Sequence, residues 1–176
     1  MKIAIIGATR GIGLQLAQLA LADGHDVTVL ARDPSRLPIS HERLRIVSGA
    51  AEDLESIREL VRGQDVVCDC LGTRNVLKTI TMFSRCAENL VKCLAPEQLL
   101  IAVTGLGAGD SRGHLTWRYD HFMLPVVLGR QYADKNRQEE IIKRGIKRWI
   151  IVRPGFLTDG PRTGRYKVLL TPKEYR

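Results

Sequence analysis

Short apolar runs alternate with amphipathic stretches along this chain from its first residues. Residues 2–6 are a mainly apolar run, as expected of a parallel strand covered on both faces. After Gly13, Leu14, Leu16, Ala17, Leu19, Ala20 and Leu21 keep mostly to one helical stripe, and Gly24 stands where a glycine closes a helix. Val27, Val29 and Ala31 then alternate with Thr28 and Leu30 as a second strand, and residues 44–48 read as a third. Glu52 and Asp53 open a helix with the stripe Leu54, Ile57, Leu60 and Val61, closed by Gly63. Residues 65–71 form a fourth strand. Ile80, Phe83, Cys86, Ala87, Leu90 and Cys93 fall at helical spacing over 78–94, until Pro96. Residues 98–103 are a fifth strand. The stretch from Trp117 to Gly145 is largely helical but interrupted at Pro125 and Gly129, so it predicts two helices, followed by a sixth strand over 148–153.

Three helices thus close with Gly24, Gly63 and Gly145, each followed within a few residues by an apolar strand. This regular alternation predicts an α/β fold, a Rossmann-like doubly wound parallel sheet in three αβα layers, as a single domain over 1–176. In that architecture the polar and glycine-rich segments after strands one, two, four, five and six gather on the C-terminal edge of the sheet. Ligands bind at that edge; ordinary connecting loops are the bland alternative.

The segment Gly7-Ala-Thr-Arg-Gly-Ile-Gly13 follows a strand and opens a helix, the context in which a glycine turn lets backbone N–H groups approach a pyrophosphate. A purely structural turn is the competing reading. At the end of the second strand, an acidic residue would hold a ribose diol; here Arg32 stands there, with Arg36 a short turn later and Arg10 inside the glycine turn. Three guanidiniums around one ribose position favour a 2′-phosphate, hence NADP(H) over NAD(H). Asp33 lies one residue past the expected acidic position.

The chain has 176 residues and a net charge of +8. Residues 1–88 carry 11 Lys/Arg and 11 Asp/Glu, and 89–176 carry 16 and 8, so the whole excess lies in the second half. The basic residues are dispersed, without a basic tail, which favours a solvated basic surface serving an anionic cofactor or substrate over a nucleic-acid face. No apolar run reaches membrane-spanning length, and the Met1–Gly7 run is too short for a signal peptide. Cys68, Cys70, Cys86 and Cys93 contain no C-x-x-C pair, so buried reduced thiols and a cytoplasmic setting are expected. His25, His41, His114 and His121 have no ligand spacing, and no metal is expected.

The stretches Ile6-Gly-Ala-Thr9, Val27–Pro38, Leu71-Gly-Thr-Arg-Asn75, Lys135 with Glu139-Glu140, Ile151-Val-Arg-Pro-Gly155 and Thr163-Gly164 lie in order along most of the chain. Together they resemble the atypical branch of the short-chain dehydrogenase/reductase superfamily, in particular the NAD(P)H-binding group with the biliverdin IXβ reductase/flavin reductases. The resemblance implies pyrophosphate contacts at Gly7, Thr9, Arg10, Gly11, Ile12 and Gly13, and 2′-phosphate contacts at Arg32 and Arg36. It places the nicotinamide-side ribose near Leu71, Gly72, Thr73 and Arg74, and the nicotinamide near Thr104, Pro154 and Gly155. Ala51, at the end of the Gly49-Ala-Ala51 turn, is also a candidate cofactor contact; Ala50 stands where the group usually has an Asp that meets the adenine. Gly105 and Gly155 stand where the biliverdin/flavin reductases carry Ser and His, and Arg10-Gly-Ile-Gly13 is closer to the conventional branch. Relatives usually continue past Tyr166–Leu170 with a further strand or helix. The substrate side is therefore expected to be open, completed by a partner chain, or short of one C-terminal element; a protein partner or a homodimer is a separate expectation.

The conventional branch uses Tyr-x-x-x-Lys, in which the Lys lowers the Tyr pKa. Here Tyr132-Ala-Asp-Lys135 is one residue shorter. Tyr132 is a candidate acid, against an ordinary packed or exposed tyrosine. Lys135 is a candidate ribose or anion holder, against a solvent-facing helix lysine, with Glu139 one turn on as its pairing partner. Thr104 completes the catalytic candidates. Asp110, Arg112 and His114 either line a substrate mouth or are simply loop polarity. The expected function is an NADPH-dependent reductase of a small conjugated acceptor such as a flavin or quinone; the alternative is a non-catalytic NADP(H)-binding regulator or assembly factor.

Overall fold

A computed structural model of the chain describes residues 1–73, 79–113, 117, 128–155, 157–158, 160 and 164–171. Six strands, β1 (Lys2–Ile6), β2 (Asp26–Ala31), β3 (Leu44–Ser48), β4 (Val66–Asp69), β5 (Leu99–Val103) and β6 (Trp149–Val152), form one sheet in the order β3-β2-β1-β4-β5-β6. Every pairing is parallel. The helices are α1 (Gly11–Ala22), α2 (Leu54–Val61), α3 (Met82–Cys93) and α4 (Gly129–Gly145). The chain runs outward from β1 to β3, then returns to the other side of β1 for β4. The strand order therefore reverses between β1 and β4, which opens a crevice at their C-terminal ends.

Side chains alternate between two apolar clusters, one on each face of the sheet. Ile3, Ile5, Val27, Val29 and Cys68 pack on the α1 side with Ala17, Ala20 and Leu21. Ala4, Ile6, Leu30, Val47, Val67, Leu100 and Ala102 pack on the other side with Ile57, Leu60, Cys86, Leu90 and Ile142 of α2, α3 and α4. Each fully buried Ile or Leu contributes about 1.5–3 kcal/mol by leaving water. The small residues of α1 let it lie close on the sheet, where a larger side chain would hold it off.

Several expected boundaries shift for local reasons. The first helix begins at Gly11 rather than after Gly13, so the glycine turn includes its first turn. The second begins at Leu54, because the Asp53 carboxylate caps it by accepting from Ser56 N at 2.8 Å. The third is shorter than 78–94 and starts at Met82, where Asp134 of α4 accepts from Phe83 N at 2.9 Å and Ser84 Oγ at 2.6 Å. Gly24 (φ +79°) and Gly63 (φ +69°) do end helices in the left-handed conformation. Gly145 does not. It is the last residue of α4, and a Cβ there would fall 2.6 Å from Val91 Cγ2, so its glycine serves helix packing. Of the two helices expected over 117–145, the second is α4; Pro125 lies outside the described residues.

Candidate functional site

The crevice is floored by the turn after β1. Gly7 has φ +85°, and a Cβ on it would fall 2.7 Å from the carbonyl oxygen of Cys70, so the β1 turn and the β4 tip touch backbone to backbone. Gly13 carries its missing Cβ against the carbonyl of Gly7, which lets α1 start directly over the turn. Gly11 (φ +57°) faces open space. Arg10 precedes α1 in extended backbone and offers no side-chain cap, and the first turn has no acidic residue. The amides that begin α1 are thus left to an anion, where the helix dipole is positive. Thr9 is half-buried, and Arg10 and Ile12 are exposed beside it.

Arg32 follows β2 and Arg36 ends the short 3-10 turn Pro34–Arg36; both are exposed. Among the described residues, Arg10, Arg32 and Arg36 enter no ion pair. Asp33 is committed to its own turn, accepting from Ser35 N at 3.1 Å and Ser35 Oγ at 2.6 Å. Ala51 is part of the core beneath the β3 turn, and its carbonyl accepts from Asn89 Nδ2 at 3.2 Å. Leu71, Gly72 and Thr73 follow β4 at the same edge of the sheet; Arg74 lies outside the described residues, as do His114, His121 and Thr163.

The β4–β5 side of this edge is organised by α4, in a way the sequence did not reveal. Its buried stripe is Asp134, Lys135, Gln138, Glu139 and Ile142, four polar residues where an apolar face is usual. Lys135 is not solvent-facing: it is 5% exposed, its Nζ donates to Val103 O at 3.3 Å and it lies 4.5 Å from the Phe83 ring centroid. Burial pushes its pKa down, opposed by the charges of Asp69 and Glu139. The expected Lys135–Glu139 pair is not formed. Glu139, 1% exposed, instead accepts from Arg153 Nε at 3.0 Å, Arg153 Nη2 at 2.6 Å and Thr104 Oγ at 2.8 Å, with Lys143 Nζ at 3.5 Å. Burial works against its charge, but the bonds from Arg153 and Thr104 outweigh it and hold the carboxyl below its usual range. On its outer side Arg153 meets Asp110 at 2.7 Å, which assigns Asp110 to this ion-pair cluster.

Tyr132 reaches over the end of β5, donating to Leu106 O at 3.0 Å. A Cβ on Gly105 would fall 2.7 Å from the Tyr132 hydroxyl, so the missing side chain at 105 makes room for this phenol. Thr104 spends its one hydroxyl proton on Glu139. Pro154 and Gly155 follow β6 alongside, with Leu106 N donating to Pro154 O at 3.0 Å. Asp69, fully buried at the β4 tip, accepts from Leu71 N at 3.1 Å and Gln138 Nε2 at 2.8 Å. Burial pushes its carboxyl up, against the pull of the Leu71 amide and Lys135. The sequence signal for Asp69 was a lone carboxylate inside the apolar run Val66–Leu71. Arg153 lay inside the Ile151–Gly155 stretch without a role of its own, and Gln138 and Asp134 carried no mark.

A family model described as NAD(P)H-binding matches residues 7–175. The chain belongs to this NAD(P)H-binding family. The glycine cradle and open α1 N-terminus fit a dinucleotide pyrophosphate, and NAD(P)H supplies a hydride when bound. Oxidoreductase aflX of Aspergillus parasiticus is 24% identical over 181 residues, covering 93% of this chain and 68% of that protein. Among solved structures, the anaerobilin reductase ChuY of Escherichia coli O157:H7 is similar with a TM-score of 0.77 at 21% identity, covering 97% of this chain and 81% of that one. A wide-type short-chain dehydrogenase/reductase of Veillonella parvula in complex with NADP has a TM-score of 0.73 at 21% identity, covering 94% and 74%. Among the described residues of this family member, no helix is long and apolar enough to cross a membrane and no cluster of His, Cys, Asp and Glu could hold a metal ion. A hollow of about 500 Å³ lined by Arg58, Arg62, Asp65, Cys93 and Gln98 lies at the opposite, N-terminal edge, away from the crevice.

Proposed function

We propose that this chain is an NADPH-dependent reductase of a small conjugated acceptor such as a flavin or quinone. The observation that carries the reading is the uncapped start of α1, set on a glycine cradle at the strand-order reversal. NADPH over NADH is supported by the placement of Arg32 and Arg36 after β2, with Asp33 tied into its own turn and unavailable to a ribose diol. The names of similar proteins, an oxidoreductase and an anaerobilin reductase, support the reaction class.

In this reading Gly7, Gly11 and Gly13 admit the pyrophosphate, and Leu71–Thr73 and Pro154–Gly155 frame the nicotinamide half. Lys135 holds positive charge beneath the tips of β4 and β5. Thr104 and Tyr132 serve as positioned oxygens rather than acids, because their protons already bond Glu139 and the Leu106 carbonyl. The acceptor would take one hydride from NADPH (its two electrons and one proton) and draw its second proton from water. A conjugated acceptor tolerates this, since its developing charge is delocalised.

The test is NADPH oxidation across a panel of flavins, quinones and linear tetrapyrroles, with NADH alongside. Turnover with at least one acceptor, faster with NADPH, is expected. Tight NADPH binding with no acceptor reduced would favour the second reading, a non-catalytic NADP(H)-binding regulator. The commitment of both hydroxyl protons inside the protein is the observation on that side.

A further inference from the structure

We propose that Gln138 and Asp69 are a positioning pair that sets the nicotinamide side of the crevice; this rests on the dinucleotide reading above. Gln138 is 1% exposed and Asp69 is fully buried, and neither borders open solvent. The Gln138 amide donates to one carboxylate oxygen of Asp69 at 2.8 Å, while the other accepts from Leu71 N at 3.1 Å. Asp69 thereby bends the chain as it leaves β4 and holds Leu71–Thr73 in place. The same tip is bound to the glycine turn: Cys70 N donates to Ile6 O at 2.9 Å, and the Cys70 carbonyl lies where a Cβ on Gly7 would be. One buried amide on α4 therefore bonds the carboxylate that shapes the β4 tip, and the backbone ties that tip to the glycine turn.

The pair is not what stability alone would select. The second amide atom, Gln138 Oε1, is buried with no partner among the described residues, a destabilising arrangement that an apolar side chain would avoid. Asp69 also keeps a carboxylate inside the apolar interior, where burial opposes its charge. Both costs are explained if the amide is retained for the contact with Asp69. Lys135 sits on the same helix face and bonds the neighbouring strand at Val103 O, so α4 grips the tips of β4 and β5 together.

The distinguishing feature is that Gln138 should matter to the nicotinamide half of the cofactor and not to the adenine half. The probes are NADPH, which carries both, and adenosine 2′,5′-bisphosphate, which lacks the nicotinamide riboside. Replacing Gln138 by Met keeps the volume and removes the donor. In Gln138→Met the loss expected is about tenfold in NADPH affinity, the worth of one buried hydrogen bond, with adenosine 2′,5′-bisphosphate binding within about twofold of wild type. The shift in NADPH fluorescence on binding should shrink. Should Gln138→Met fail to fold, Gln138→Asn, one methylene shorter, withdraws the amide from Asp69 and carries the same expectation. Equal loss of both probes, or no loss of either, overturns the proposal. Wild-type protein that binds neither probe would instead refute the dinucleotide reading itself.

Discussion

Removing the guanidinium from Arg153 isolates the buried ion pair that ties β6 to α4. Arg153 gives Glu139 two bonds, at 3.0 and 2.6 Å, and the carboxylate is 1% exposed. Breaking a buried pair from one side costs about 3–5 kcal/mol, because the abandoned charge stays in the interior. Here Thr104 still donates at 2.8 Å and Lys143 lies at 3.5 Å, so the lower end, about 3 kcal/mol, applies to Arg153→Met. For a chain of this size each kcal/mol shifts the melting midpoint by roughly 2–4 °C, which gives about 6–12 °C. Thermal unfolding at neutral pH, followed by circular dichroism, reads this directly. Arg58→Met, which removes an exposed surface pair with Glu55, should leave the midpoint unchanged. A midpoint for Arg153→Met within 2 °C of wild type would refute the reasoning, as would equal losses in the two variants. The pH dependence follows from the same carboxylate. Its folded pKa lies below the ordinary 4.5, so the stability it contributes is complete above that pH and is lost as pH falls through the lower folded value. Glu139→Gln should flatten the acid limb of the stability profile.

Arg32→Asp should shift binding from NADPH towards NADH, measured by direct titration of both; unchanged selectivity would count against the 2′-phosphate assignment. Gly13→Ala places a methyl group against the Gly7 carbonyl and should cost about 1–3 kcal/mol of stability while weakening NADPH binding, read by chemical denaturation and titration. The Cys70 thiol, which burial first and Asp69 second push up to about 12, should be almost wholly protonated at neutral pH and react slowly with iodoacetamide. Rapid alkylation of Cys70 in the folded protein, located by peptide mapping, would contradict that environment.

The first half of the site was legible along the chain because its parts are local. A strand, a glycine turn and a helix are read from period-two and period-3.6 patterns, and Gly7, Gly11 and Gly13 lie within seven residues of one another. Arg32 and Arg36 were proposed the same way, by their place at a strand end. The second half was not legible, because its bonds join residues far apart in sequence. Asp69 and Gln138 are separated by 69 positions, and Thr104 and Glu139 by 35. On periodicity alone the polar residues of α4 look like a wet helix face, and Lys135 with Glu139 like an ordinary surface pair.

The sequence by itself determined the alternation of strands and helices, the parallel sheet and the dinucleotide-type turn, since each follows from side-chain spacing and glycine backbone freedom. It also determined the charge at the end of β2. Only the tertiary structure decided which face of α4 is buried, that Glu139 belongs to Arg153 and Thr104, and that Gly145 is glycine because Val91 packs there. The reason is that burial is a property of the assembled layers. Once α4 lies against α3 and over the strand tips, its polar atoms lose water and must bond whatever backbone ends and buried charges that docking puts within reach.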